Sequence, residues 1–447
     1  MKSKVTFLNH ASVLIETEGN YILTDPWYDR VSFGSWFPAP PPVYNPVYLI
    51  TLAKNNPNFF IVISHGHDDH LDDKFLNLMP REVKCLIPKY NSIGLKNRLK
   101  SCGLNNIIEF DEVGLSLNGM VFKSYIFEEI SLDDAFITIA TKNFIIAHAN
   151  DNWQKIPTHQ MLKIKYDFMK YKKTNTLVMS QTNLADGFPQ IYENYTNRQK
   201  KTLTKKRQDK MILRGVMNAL EIGSNAFMSY AGMALPFLKD KAETTSPGYH
   251  GSYRSIKYIK DLLMENGIKD IVLDMTPGDS YDFDKVEKLF GKDLDQEMIK
   301  ETSIEFYKNY GLVSQCDTYD PDHTRVSVEN KRKYLQNFLF NFKKFVKTKS
   351  QKTKDYQNDV FKINFSFEDS EVRGICEMSM SPTTTVEFKY ENKILEKILT
   401  GTINWENSYI GYQSSVAVTP EANIGSLIRW LSMFGYVYQK RIVNDYR

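Results

Sequence analysis

Three of the chain's eight histidines fall inside Phe59–Asp73, FFIVISHGHDDHLDD, where His65, His67, Asp68, Asp69 and His70 crowd into six residues. Imidazole nitrogens and carboxylate oxygens delivered into one loop form the donor set of a borderline divalent cation. His65 and His67 are two residues apart, so in an extended segment both face the same side. Asp69 and His70 reach a neighbouring position once the chain turns into the helix expected over Asp72–Leu78. An ordinary polar loop after a strand would not need this density of histidine.

The elements around the loop are short and mostly extended. Phe59–Ile63 is apolar without alternation, as in a strand buried on both faces. Upstream, Lys4–Ile15 and Tyr21–Thr24 flank Glu18-Gly19-Asn20, a hairpin signal. One arm ends in Asn9-His10-Ala11-Ser12 and the other in Asp25-Pro26-Trp27. Val31–Pro46 is rich in proline and aromatic residues and cannot be helical. Such a long apolar loop packs on the body or lids a pocket, which puts Trp36 and Phe37 near a substrate.

Downstream, Leu86–Pro88 and Ile107–Phe110 read as strands, with a helix over Ile93–Cys102 that Gly103 ends. Met120–Ile126, Ala135–Ala140 and Phe144–Ala147 follow as strands, the last running into His148-Ala149-Asn150-Asp151-Asn152. Leu177–Ser180 is another. Tyr195–Arg214 is a basic helix whose Arg198 and lysines suit the phosphates of an anionic substrate, or simply a solvated face. Tyr253–Asn266 and Asp284–Leu289 read as helices, with a strand at Asp270–Asp274.

At 447 residues the chain should hold two domains, or one large domain with a module attached. Its 42% hydrophobic and 25% charged residues are ordinary for a globular protein. A net charge of +4 is too small to imply nucleic-acid binding. No apolar run is long enough to span a bilayer, and the N-terminus has no signal-peptide core. The four cysteines are scattered, which argues against an iron–sulfur cluster or disulfide framework and fits the cytoplasm. The expected organisation is a catalytic domain over 1–330, a helix and linker over 331–358, and a C-terminal α+β module over 359–447. That module's strands and helices resemble small sterol-carrier-like modules.

The HxHxDH pattern of His65, His67, Asp69 and His70 resembles the signature of the metallo-β-lactamase superfamily. The resemblance implies an α+β fold, an αββα sandwich, with His65, His67 and a later residue on one metal. Asp69, His70 and a late histidine would hold the other. His250 is the best placed for that last role, with His159 as fallback. Asp151 would be the bridging carboxylate, with His148 competing for the place. His10 and Asp25 match groups that orient the ligands, alongside His148; Asp68 is not expected to bind metal. No histidine lies between His70 and His148, so the remaining ligand falls to Glu128 or Glu129.

Replacing an imidazole by a carboxylate makes a site harder and favours iron over zinc. It resembles the exchange in a diiron β-hydroxylase of this fold. Several phrases, among them Gly187-Phe188-Pro189 and Tyr409-Ile410-Gly411-Tyr412-Gln413, resemble the CMP-N-acetylneuraminate hydroxylase family. This chain lacks that family's Rieske domain, so an oxygenase would need a separate electron-donor protein.

Two chemistries follow. With two iron ions and dioxygen as co-substrate, the site would hydroxylate a small anionic metabolite such as a sugar nucleotide. With two zinc ions it would activate water against an ester, amide or phosphodiester. The missing histidine favours the first. A degenerate binding protein without metal is the third class, and the intact motif argues against it.

Overall fold

The computed structural model describes residues 3–28, 31–127, 134–153, 156–171, 175–184, 186–231, 234–236, 255–283, 285–289, 296–309, 326–350, 361–367, 372–378 and 382–445. β1 (Lys4–Asn9), β2 (Ser12–Thr17) and β3 (Asn20–Thr24) form an antiparallel meander. Lys4–Ile15 is therefore two strands, turned at His10, whose φ of 38° is left-handed. β4 (Trp36–Pro38) follows. The prolines that forbid a helix before residue 46 start one there: α1 (Pro46–Asn55) has proline in its first turn and is capped by Asn45.

β5 (Phe59–Val62) leads through the histidine loop into α2 (Asp73–Asn77). Then come β6 (Lys84–Pro88), α3 (Gly94–Ser101) and β7 (Ile107–Phe110). A second run comprises β8 (Leu115–Leu117), β9 (Met120–Ile126), β10 (Ala135–Ala140) and β11 (Ile145–His148). It continues with α4 (Thr158–Phe168), β12 (Thr176–Gln181), α5 (Asn197–Glu221) and β13 (Phe227–Tyr230).

β14 (Ala234–Pro236) pairs with β4, and α6 (Ile256–Glu265) follows. Next are β15 (Ser280–Tyr281), β16 (Val286–Glu287) and α7 (Gln296–Asn309). Within the stretch expected to be a helix over Asp284–Leu289, Val286–Glu287 is instead a strand paired with β15, and Asp282 Oδ1 accepts from Lys285 N at 2.8 Å. The strand expected at Asp270–Asp274 contributes a single bridge, Phe227 to Val272.

Two sheets face one another, ordered β16-β15-β1-β2-β3-β5-β6-β7 and β13-β12-β11-β10-β9-β8. Val5, Phe7, Val13, Phe60 and Val62 from the first meet Phe122, Ile137, Ile146 and Met179 from the second. Their strand neighbours Leu8, Leu14, Phe59, Ile61 and Ile63 face outward onto Leu49, Phe75 and Leu99 of α1, α2 and α3. Across the molecule, Val178 and Phe227 are covered by Ile164, Ile212 and Ile259 of α4, α5 and α6. The result is an αββα sandwich whose central strands are buried on both faces.

The rest of the chain forms α8 (Val328–Ser350), β17 (Phe361–Phe367), β18 (Arg373–Glu377), β19 (Thr384–Tyr390) and α9 (Asn392–Leu399). α10 (Trp405–Ile410), β20 (Ser414–Thr419) and α11 (Gly425–Asp445) complete it. Its sheet runs β18-β17-β19-β20. Phe361, Ile363, Phe365 and Phe367 alternate inward, onto Leu335, Phe338 and Phe342 of α8 and Leu427 and Phe434 of α11. The lysine-rich helix expected to fade into a linker is therefore one layer of this module's core.

The module is docked on the sandwich. Trp27, Phe33 and Trp36 join its apolar cluster. Ser35 Oγ donates to Gly411 O at 2.6 Å, and Trp36 Nε1 to Ile410 O at 3.0 Å. A Cβ at Gly411 would stand 2.0 Å from the Phe33 carbonyl oxygen, so only glycine permits this approach. Among the described residues no helix is long and apolar enough to cross a membrane.

Candidate metal centre

The histidine loop is fixed at both ends. Asp72 caps α2 through Phe75 N at 3.1 Å while its other oxygen accepts from Tyr28 N at 2.8 Å. From α3, Arg98 reaches under the loop. It donates to Asp68 Oδ1 at 2.9 Å, to Asp73 at 2.9 and 3.0 Å, and to Gly66 O at 2.6 Å. Asp68 is thus spent on the guanidinium. Arg98→Ala should cost about 1–3 kcal/mol, the range for charged hydrogen bonds discounted for partial exposure. It should also weaken metal retention about tenfold by freeing the loop. Chemical denaturation and chelator competition would check both.

Asp25, at the end of β3, is fully buried. Its Oδ2 accepts from Ser64 Oγ at 2.5 Å and stands 2.7 Å from His70 Nδ1 and 2.8 Å from His148 Nε2. Oδ1 accepts from Ser64 N at 2.7 Å. Burial alone would raise this carboxyl, but the imidazoles of His148 and His70 outweigh it and hold Asp25 well below the usual range. With its lone pairs so committed, Asp25 serves as an anchor. His148 Nδ1 in turn meets the Tyr230 hydroxyl at 2.7 Å. His10 Nε2 stands 3.1 Å from Asp69 Oδ2.

The ligand candidates converge above this anchor. His65 Nε2 and His67 Nδ1 are 2.8 Å apart, and Asp151 Oδ2 is 4.0 Å from His65 Nε2. Asp69 Oδ2 is 3.8 Å from His70 Nε2. Three overlapping groups have ligand atoms close enough to share a cation: His65–His67–Asp151, His10–Asp69–His70 and Asp25–His65–His70. Asp69 Oδ1, His70 Nε2 and Asp151 Oδ1 are buried without a hydrogen-bond partner. Buried polar atoms are normally satisfied, so these orphans fit a cationic guest. The mixed imidazole and carboxylate donors suit a divalent transition metal.

Charge is uneven within the cluster. Burial and the neighbouring His70 and His67 push His65 well down. Burial also acts against charge on His70, but Asp69 and Asp25 prevail and it is pushed up to about 10. A cation at His70 Nε2 must therefore displace a proton. Metal affinity should rise about tenfold per pH unit below that value, for one proton released. Chelator competition between pH 6 and 9 would show it; a flat profile would contradict the assignment. Without metal the sign reverses: stability from the raised His70 is full below its ordinary 6.5 and is lost as pH climbs toward 10.

The structure thus assembles His65, His67, Asp69, His70 and Asp151, with His10, Asp25 and His148 against them. Glu128, Glu129 and His250 lie outside the described residues. Trp36 and Phe37, expected beside a substrate, are buried: Trp36 holds the C-terminal module and Phe37 stacks on Tyr307. Arg198 is exposed on the first turn of α5. Three neighbours were not foreseen. Asp134 Oδ1, at the mouth of β10, stands 3.7 Å from His65 Nδ1, and Glu406 Oε2 of α10 stands 3.9 Å from His67 Nε2. Tyr230 closes the chain through His148. Asp134 had a signal, as the carboxylate directly before an apolar strand; Glu406 had none.

Residues 4–115 match the family model of a beta-lactamase superfamily domain. Among curated proteins, it is 33% identical over 107 residues to a protein of Mycolicibacterium smegmatis provisionally named a Rieske 2Fe-2S iron–sulfur protein, covering 24% of this chain and 20% of that one. It is 39% identical over 105 residues to N-acyl-phosphatidylethanolamine-hydrolyzing phospholipase D 1 of Caenorhabditis elegans, covering 22% and 27%. The chain thus spans about a fifth to a quarter of these relatives' lengths. A diiron β-hydroxylase from Streptomyces venezuelae aligns with TM-score 0.37 at 16% identity, over 59% of this chain and 51% of that one. Metallo-hydrolases align at similar levels.

Proposed function

We propose that this chain is a metal-dependent oxygenase that holds two divalent cations, iron in preference to zinc, and hydroxylates a small anionic metabolite such as a sugar nucleotide. One observation carries the reading. Among the described residues, the group from outside the loop that shares a candidate site with the His65–His67 pair is the carboxylate Asp151, on the Nε2 side of His65. An oxygen donor in that place favours a harder cation than an all-imidazole site would. His65, His67 and Asp151 would hold one cation, and Asp69 and His70 the other. Bound and reduced there, iron would supply the electrons that activate dioxygen, replenished by a separate cytoplasmic donor protein. Asp25 keeps the proton of His70 on Nδ1, leaving Nε2 directed at the cation.

A second reading has its own support. The 39% identity with a hydrolase over 105 residues is compatible with two zinc ions and a hydrolytic reaction. Expression in iron-supplemented and zinc-supplemented media, followed by metal analysis and oxygen-uptake assays, separates the two. Retained iron with reductant-dependent oxygen uptake is expected. Stoichiometric zinc with ester or phosphodiester turnover would give the site to hydrolysis.

A further inference from the structure

Helix α5 has two unlike faces. Thr204, Gln208, Ile212, Gly215, Val216 and Ala219 are buried against the sandwich. On the opposite face Lys206, Lys210 and Arg214 recur every fourth residue and so stand in one row. Leu213, Met217 and Leu220 run beside that row, and Met217 is 55% exposed. The turn after α6 adds Ile268 and Lys269, and together these elements line a groove of about 1130 Å³.

The character of the groove selects its guest. It is larger than the roughly 300–1,000 Å³ that encloses a small molecule. Five cations line it against two carboxylates, and one of those, Asp209, is engaged by Lys205 at 2.7 Å and by the Tyr258 hydroxyl at 2.5 Å. Apolar side chains bordered by cations complement a protein face on which apolar side chains are ringed by Asp and Glu. A bilayer surface is flat and follows a groove poorly.

The groove also backs onto the metal centre. Asn218, in its lining, donates to Trp153 O at 2.8 Å, and Trp153 Nε1 donates to Gly215 O at 2.8 Å. Trp153 ends the 3-10 turn Asn150–Trp153, which carries Asp151, the carboxylate grouped with His65 and His67. One hydrogen bond and a short run of backbone thus join the groove to a candidate ligand.

We propose that this groove is the docking site of the electron donor, a one-electron carrier protein with an acidic face. The inference rests on the oxygenase reading, which needs such a donor. Each hydroxylation takes one dioxygen, two electrons and two protons, and gives the hydroxylated product and one water. The carrier is oxidised by one electron per visit, so it docks and leaves twice per turnover. Small interfaces steered by opposite charge suit that traffic.

The test uses the full metal-free chain and, as probe, a plant-type 2Fe-2S ferredoxin, a small acidic one-electron carrier. Titration calorimetry should show binding that weakens at least about tenfold between about 20 and 300 mM salt. Lys206→Glu combined with Lys210→Glu should weaken it at least about tenfold at about 100 mM salt. Lys142→Glu combined with Lys163→Glu changes the net charge equally outside the groove and should leave affinity within about twofold. In the iron-loaded chain without oxygen, reduction by ferredoxin should slow at least about tenfold in the groove variant, while dithionite reduces it as it does the wild type. No binding of ferredoxin, or equal binding by the groove and control variants, overturns the docking site. Binding to vesicles of phosphatidylcholine and phosphatidylserine instead would give the groove to a membrane and overturn it too. Iron that neither ferredoxin nor dithionite reduces overturns the oxygenase reading, and the metal-free titration still decides whether the groove takes an acidic protein.

Discussion

Asp25→Asn should weaken metal binding by about 100-fold and destabilise the protein by about 3–5 kcal/mol, the cost of breaking a buried charged network. The reason is a count of donors. Asp25 Oδ2 is shared by Ser64 Oγ, His70 and His148, and Oδ1 accepts from Ser64 N. Asparagine offers one acceptor oxygen and an NH2 group. Turned to serve the imidazoles, it sets its NH2 against the Ser64 amide; turned the other way, it strands the imidazoles. Because the Asp25 carboxyl is held low, its contribution is present above the ordinary carboxylate range and lost as pH falls below it. Denaturant unfolding of the metal-free protein and chelator competition would test both halves. Wild-type stability in this variant would refute the anchor role.

His67→Ala is expected to separate those two effects. His67 sits on the loop with its side chain 27% exposed, outside the sandwich core. Its loss removes one ligand without opening a cavity between sheets, so metal content at one of the two positions should fall at least about 100-fold while the unfolding midpoint of the apo-protein moves little. Elemental analysis after dialysis, beside a thermal melt, gives the comparison. Full metal occupancy in the variant would remove His67 from the ligand set.

The loop was legible because its strand is: Phe59–Ile63 is apolar at every position, and both of its faces are buried in the fold. The hairpin tips carrying His10 and Asp25 were legible for the same reason, as polar residues ending apolar arms. Arg98 reads from sequence as one more charge on a basic helix, and nothing local shows that it reaches under the loop. The register of β10 against β9, which pairs Ala135 with Ile126, sets Asp134 at the start of β10. Trp36 and Phe37 are packed into the fold, and aromatic loop residues serve packing as readily as recognition. The phrases around Gly187 and Gly411 resembled a family without revealing a purpose. In the fold they meet at the docked helix, where neither glycine can be enlarged.

The docking of α10 on the strip Phe33–Trp36 fixes an order of events during synthesis. The histidines leave the ribosome well before α10, whose Glu406 stands beside His67. Until then the histidine cluster stands without its neighbour from the C-terminal module. The side of the cluster next to His67 is completed only when α10 docks.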